Sequence, residues 1–172
     1  MKSIAMFRNV IVLAALGASA GLALAAGSKT TTVGVSASVE SNCLVYAPSK
    51  GLEFGIYDPF AGADYNAATS FKVRCSKNAL YTIALNAGTG PSATLSDRKM
   101  VNGSQTAMSY AIYSDSARTV NWGATALAGA ATGYGSGLGT DNTVDIYATI
   151  PTGQLDVGVG AYADTVIATI TY

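Results

Sequence analysis

Histidine is absent from this 172-residue chain, and cysteine and charge are scarce. Without imidazole, the chain cannot build a Ser-His-Asp or Cys-His nucleophile, or a zinc or copper site that depends on histidine. Charged residues make up 12% of the chain and form no run of Lys and Arg, so nucleic acid is not an expected partner. We therefore expect no enzyme, no cofactor and no metal site.

Two patterns superficially suggest chemistry, and neither meets the requirements of its motif. Residues 133–139 read GYGSGLG, but no Gly-Lys-Ser/Thr follows, and Tyr134 stands where G-x-S-x-G requires glycine. The carboxylates lie mostly beside turn residues or at outward strand positions. Capping and solubility explain them better than the paired acid–base work of a glycosidase. Both patterns favour a non-enzymatic protein.

The N-terminal residues 1–25 have the pattern of a secretory signal peptide. Lys2 and Arg8 provide its positive charge, an apolar run of about 15 residues follows, and Ala23-Leu24-Ala25 forms a cleavage site. The run is shorter than the ~20 residues that cross a bilayer, so we expect cleavage and no stable membrane insertion. The exported chain then carries 8 basic and 10 acidic residues, a net charge near −2.

Cys43 and Cys75 are the only cysteines, and they lie too far apart for a CxxC redox pair. An exported protein meets an oxidising environment, in which two cysteines form a structural disulfide. Closing a loop of this length stabilises the fold by about 3–4 kcal/mol in the chain-entropy model.

Short segments of alternating apolar and polar residues recur along the chain, separated by turn residues. One segment places Leu52, Phe54 and Ile56 on a single face. Further segments of this kind span residues 71–75, 81–85, 108–113, 144–150 and 165–172. The Gly/Ala/Thr-rich residues 123–140 are predicted to be a flexible loop. With no helical period in view, the pattern predicts an all-β sandwich in one domain, residues 40–172.

The two ends of the chain predict assembly. Residues 32–39, directly behind the signal, alternate like a half-buried strand, and no turn folds them back on a neighbour. Their apolar face comprises Val33, Val35, Ala37 and Val39. The last strand pattern runs to the final residue, and its shared face comprises Val166, Ala168, Ile170 and Tyr172. A spare strand at the start and none after the last predict strand exchange between copies.

Several segments, in order along residues 43–166, resemble the spore coat protein U domain family, shared with the subunits of archaic (Csu-type) chaperone–usher pili. Each segment alone is short, and their common order makes the resemblance specific. The segments are Cys43, LEFGIY at 52–57, VRCS at 73–76, DRKM at 97–100, MSYAIYSD at 108–115, NWG at 121–123, IPTGQ at 150–154 and GAYADTV at 160–166.

The resemblance implies an incomplete immunoglobulin-like sandwich that lacks its last strand. In that family a periplasmic chaperone lends a strand to the gap, and a neighbouring subunit's N-terminal segment replaces it at the outer-membrane usher. It implies that residues 26–39 are the donor strand, with Val33 and Val35 as the main anchors. The terminal strand would face the acceptor site, and the partners would be copies of the chain or related subunits in an extracellular pilus.

Two alternatives to a pilus subunit remain open from the sequence. A spore or cyst coat protein would share the fold and differ in where the polymer ends up. A secreted glycan-binding module would instead use exposed aromatic side chains, with Tyr57, Tyr134 or Trp122 as candidates.

Overall fold

The computed structural model describes residues 27–46, 48, 50–123 and 131–172. The signal-peptide prediction falls outside these residues. One compact unit spans residues 38–172, and a separate stretch ends at Ala37. The described residues form eight strands: β1 Cys43–Tyr46, β2 Tyr65–Cys75, β3 Leu80–Leu85, β4 Arg98–Val101, β5 Ala107–Tyr113, β6 Ala131–Tyr134, β7 Asn142–Ile150 and β8 Ala168–Thr171. Among the described residues, no helix has the length and apolar character needed to cross a bilayer.

The strands form two antiparallel sheets. Five of them make one sheet in the order β1-β2-β7-β5-β4, and three make the other in the order β6-β3-β8. The longest ladder joins β2 to β7, from Tyr65 opposite Ile150 to Val73 opposite Asn142. Since β2 and β3 are consecutive but lie in different sheets, the chain crosses between the sheets at residues 76–79. The all-β prediction is confirmed.

The core lies between the sheets and follows the strand alternation. Phe71, Val73 and Cys75 of β2 face Ile83 and Leu85 of β3 within a single buried cluster. These are the inward positions that the period-two pattern predicts. Trp122, the largest fully buried side chain of the described residues, belongs to the same cluster. The indole Nε1 donates to the carbonyl of Ile83 at 3.0 Å, which satisfies its one polar group.

The disulfide between Cys43 and Cys75 is present, as predicted. The two cysteines are directly opposite in the ladder of β1 and β2. Because β1 has only four residues, this covalent link fixes its start to the end of β2.

Two predictions about local structure are wrong. Residues 52–57 form no strand, and Ile56 is 91% exposed whereas Tyr57 is partly buried. Gly55 explains the change, because its positive φ of 76° breaks the alternation after Phe54. Residues 123–140 are not simply a loop, since residues 131–134 within them form β6 and pair with β3.

The N-terminal residues 27–41 form no strand in the structure, although their alternation predicts one. Val33 and Val35 are 80% and 91% exposed. Alternation alone does not make a strand, because a strand is stabilised by a ladder with a neighbour.

Candidate functional site

An apolar groove of about 1100 Å³ runs between the two sheets. Side chains of the five-stranded sheet form its floor, and two segments outside the ladders form its walls. The floor comprises Phe71, Met100, Met108, Tyr110, Ile112, Ile146 and Ile150, and the walls comprise residues 51–57 and 157–166. Most of the floor side chains are themselves buried, and the apolar side chains at the groove that are fully open to solvent are Ile56 and Val159 on its walls. Exposed apolar surface beside a groove is typical of a site that another chain segment covers.

The free edge of β8 borders this groove. β8 pairs with β3 alone among the described strands, so its other edge offers unpaired backbone groups. Val166 and Ala168 line the groove, and Ile170 packs against the core. Tyr172 is half exposed and does not line the groove. The structure therefore brings two of the four predicted acceptor residues to the groove itself.

The wall made by residues 51–57 is fixed through its aromatic side chains. Phe54 approaches the ring of Tyr110 edge-on, with ring centroids 6.3 Å apart. The Tyr57 hydroxyl donates to the carbonyl of Pro151 at 3.0 Å and accepts from the amide of Gln154 at 3.1 Å. These bonds join the wall to the segment after β7.

A carboxylate fixes the opposite wall. Asp164 accepts a 2.6 Å hydrogen bond from the hydroxyl of Tyr110 on β5. Its other oxygen accepts from the amide and hydroxyl of Thr89, at 2.7 and 2.8 Å, and from the amide of Thr165. Burial raises the pKa of Asp164, but the bonds from Tyr110, Thr89 and Thr165 outweigh it and hold the pKa below its usual value. The carboxylate thus joins β5 to the segment that follows β3.

The same bond affects Tyr110. Burial raises the pKa of its hydroxyl, and the hydrogen bond to Asp164 raises it further. Tyr110 consequently stays neutral and acts as a donor, which matches the direction of the bond to Asp164.

Arg98 is a buried charge that the sequence reasoning missed. Its guanidinium donates to three backbone carbonyls, those of Asn86 at 3.0 Å, Leu95 at 2.7 Å and Trp122 at 2.8 Å. Burial lowers the pKa of Arg98, and nearby Tyr110 and Asp164 oppose that shift. Arg98 and Met100 are two positions apart on β4 and share its inward face, so strand alternation is the signal that could have placed Arg98 inward.

The predicted donor residues are exposed. Val33, Val35, Ala37 and Val39 all lie in residues that form no strand. Closer to β1, residues 40–42 contact Ser76 at the end of β2. Its hydroxyl accepts from the Asn42 amide at 3.2 Å, and its own amide donates to the Asn42 carbonyl at 2.8 Å. These bonds hold Asn42, close to the start of the compact unit, against Ser76.

The aromatic candidates for sugar binding are not arranged as a binding face. Trp122 is 0% exposed, so it cannot stack on a sugar, and that prediction is wrong. Tyr57 is partly buried and uses its hydroxyl within the protein, whereas Tyr134 is exposed. Within the described ranges, no three His, Cys, Asp or Glu side chains come together as metal ligands.

Comparison with known proteins gives the family. The model of the Spore Coat Protein U domain matches residues 29–169. "Protein U" of Myxococcus xanthus is 34% identical over 159 residues, which cover 86% of this chain and 87% of the relative.

A solved structure has a similar fold. It belongs to the CsuC-CsuE chaperone-tip adhesion subunit pre-assembly complex of the archaic chaperone-usher Csu pili of Acinetobacter baumannii. The TM-score is 0.55 at 22% identity, over 78% of this chain, which spans 40% of the length of the solved chain. The likeness supports the immunoglobulin-like sandwich predicted for the two sheets described above. By its matched length and its identity to a curated relative, the chain belongs to the Spore Coat Protein U domain family.

Proposed function

We propose that the chain is a structural subunit of an extracellular pilus, assembled by the chaperone–usher pathway through donor-strand exchange. In this role it supports surface attachment and biofilm formation. The observation that carries the proposal is the apolar groove bordered by the free edge of β8. A missing strand accounts for both features together, because it would fill the apolar groove and pair with the open edge.

The physical gain from strand insertion is large enough to hold subunits together. Four small apolar side chains that enter the groove contribute about 1–2 kcal/mol each. Each added main-chain hydrogen bond contributes about 1 kcal/mol, before the cost of ordering the segment. A head-to-tail joint of this kind does not close on itself, so its repetition gives a filament.

The proposal assigns a role to each part of the chain. Residues 1–25 direct export, residues 26–39 are the donor strand, and residues 40–172 are the pilin domain. Val33, Val35, Ala37 and Val39 fill the groove of the next subunit, beside Val166, Ala168 and Ile170. A periplasmic chaperone covers the groove first, and an outer-membrane usher then directs the exchange.

Deletion of residues 27–35 tests the donor role. The shortened chain should still bind its chaperone and should not join a fibre, as measured by electron microscopy and by the shear-released pilus fraction. Val33→Ser with Val35→Ser should have the same effect. The matched control, Thr32→Ser with Ser36→Ala, changes the opposite face and should assemble normally. Normal fibres from the deletion variant would refute the donor role.

A second test moves the donor segment. A copy of residues 26–39 placed after Tyr172 behind a short linker should fill the groove of its own chain and give a monomer with a raised melting temperature. The same copy with serine at the positions of Val33 and Val35 provides the control. An unchanged melting temperature would contradict the assignment of the groove as an acceptor.

A spore or cyst coat component is the second candidate, because the description of the matching family names the spore coat. Assembly by strand exchange serves both functions, and the location of the polymer distinguishes them. Neighbouring genes for a chaperone and an usher, with immunogold labelling of thin surface fibres, would favour the pilus. Labelling confined to a spore or cyst wall would favour the coat.

A further inference from the structure

The hydroxyl of Ser76 fixes the backbone of residues 40–42. It accepts from the Asn42 amide at 3.2 Å and donates to the carbonyl of Glu40 at 3.3 Å or of Asn42 at 3.4 Å. The Ser76 amide adds a 2.8 Å bond to the Asn42 carbonyl. Cys43 pairs with Cys75, so the pairing of Asn42 with Ser76 continues the ladder of β1 and β2 by one position. We call these contacts the Ser76 clamp.

The clamp is supported from its other side by the Gly-rich residues 133–139, whose sequence carries no phosphate-binding motif. Gly135 packs so closely on the carbonyl of Ser76 and on Cys75 that a Cβ atom would overlap them. The Gly135 amide also donates to the carbonyl of Ala79 at 2.8 Å, and the Gly137 amide donates to that of Cys75 at 3.1 Å. Ser76 is therefore held between the Gly-rich segment and residues 40–42.

The topology shows what a strand from the same chain would need in order to enter the groove. β1 starts beside Cys75, and β8 ends beside the start of β3, with Thr171 opposite Thr82. Since only residues 76–79 separate β2 from β3, both points lie at the same end of the sandwich. Residues 40–42 reach at most about 10 Å. To lie along the groove, residues 32–39 of the same chain would have to reverse direction over residues 40–42.

We propose that the Ser76 clamp keeps the chain's N-terminal segment out of its own groove, so that the groove stays available to a second copy. The inference rests on the proposed function. A reversal over residues 40–42 redirects the Glu40 carbonyl and the Asn42 amide, which breaks their bonds to Ser76. Self-insertion thus loses hydrogen bonds that insertion from another molecule leaves intact. The clamp is a positioning element that favours polymers over closed monomers.

Disulfide trapping in the full exported chain tests the proposal. The reporter carries Val35→Cys and Ala168→Cys, which place one thiol in the donor segment and one in the groove. A crosslink within one chain gives a compact monomer on a non-reducing gel, and a crosslink between chains gives dimers and longer ladders. Adding Ser76→Ala to the reporter should raise the ratio of intramolecular to intermolecular crosslinks by roughly fivefold for each hydrogen bond lost.

Three further variants separate the clamp from a general loss of stability. Ser76→Thr keeps the hydroxyl and should give the ratio of intramolecular to intermolecular crosslinks found with native Ser76. Ser70→Ala removes a hydroxyl from the middle of β2, which Ser76 follows directly, and should leave that ratio unchanged. Insertion of Gly-Gly between Ser41 and Asn42 leaves Ser76 in place but permits the reversal. It should raise the intramolecular share even if Ser76→Ala does not fold.

The outcomes distinguish the clamp from the proposed function. A reporter with native Ser76 that forms intermolecular ladders supports strand exchange, and a shift to intramolecular crosslinks in Ser76→Ala or in the insertion variant supports the clamp. Ladders with an unchanged ratio in both variants would overturn the clamp alone. A reporter with native Ser76 and no crosslink of either kind would overturn both.

Discussion

Replacing Asp164 with alanine should weaken the contact between β5 and the segment that follows β3, beside the groove. The substitution removes the acceptor of the Tyr110 hydroxyl, which is 2.6 Å away and belongs to a residue that is only 4% exposed. A buried donor left without a partner costs about 1–3 kcal/mol, and the bonds from Thr89 are lost as well. We therefore expect a loss of about 2–4 kcal/mol in the free energy of unfolding, or a melting temperature lower by roughly 5–15 °C.

A double-mutant cycle isolates the Asp164–Tyr110 bond. Tyr110→Phe removes the hydroxyl and retains the ring against Phe54, so it should cost about 1 kcal/mol. The double variant should be less destabilised than the sum of the single variants, by about 1–2 kcal/mol. Urea unfolding at neutral pH measures all three, with Asp156→Ala as the control because Asp156 is exposed on the same segment. Equal losses in Asp164→Ala and Asp156→Ala would refute the reasoning.

The pH dependence of Asp164 gives an independent check of the same bond. Its pKa is lowered in the folded protein, so its contribution is present above the unfolded carboxyl pKa of about 3.9 and is lost as pH falls through the folded pKa. Acidification from pH 5 should therefore destabilise the native chain more steeply than Asp164→Asn. Parallel stability curves for the two proteins would contradict this assignment.

Two further substitutions test buried contacts elsewhere in the domain. Arg98→Lys should lower the free energy of unfolding by about 2–5 kcal/mol, because an ammonium cannot reach three separated carbonyls at once. The control Arg74→Lys changes a surface ion pair with Asp141 and should lower it by under about 1 kcal/mol. Urea midpoints of the two variants check this, and similar losses would contradict it. Gly135→Ala should cost about 1–3 kcal/mol, because its Cβ meets the Ser76 backbone, whereas Gly139→Ala meets open space. A melting temperature for Gly135→Ala that equals that of Gly139→Ala would disprove the close packing.

Alternation in the sequence predicted the central strands because these strands bury one face. Residues 71–75, 81–85, 108–113 and 144–150 all lie within observed strands and point their apolar side chains into one core. Their inward positions carry large apolar residues and their outward ones carry polar residues, so the period is plain. The disulfide was equally predictable from the sequence, since two cysteines allow one pairing.

Other elements depend on tertiary contacts that leave little trace in a local pattern. β6 reads Ala-Thr-Gly-Tyr, which has no apolar alternation, and its pairing with β3 makes it a strand. The wall at residues 52–57 departs from a strand because one glycine adopts a positive φ. Arg98 occupies an inward position that hydrophobicity assigns to apolar residues, and three backbone carbonyls make this burial tolerable.

The candidate site was predictable in outline and not in detail. The family resemblance implied an acceptor gap, and the groove with its free β8 edge is the geometry that such a gap requires. Asp164 and Tyr110 are 54 positions apart, and Ser76 and Asn42 are 34 positions apart. Contacts across such distances follow from the topology, which a single sequence does not provide.

The position of the disulfide has a mechanical consequence for a filament built in the proposed way. Tension on the donor segment would enter the domain at residue 42 and reach Cys43 one residue later. From there the covalent bond carries the load to Cys75 of β2, which is tied to β7 along nine residue pairs and is loaded in shear. The four-residue β1 is thereby spared from being peeled away, so chemical reduction should lower the force at which such a filament extends.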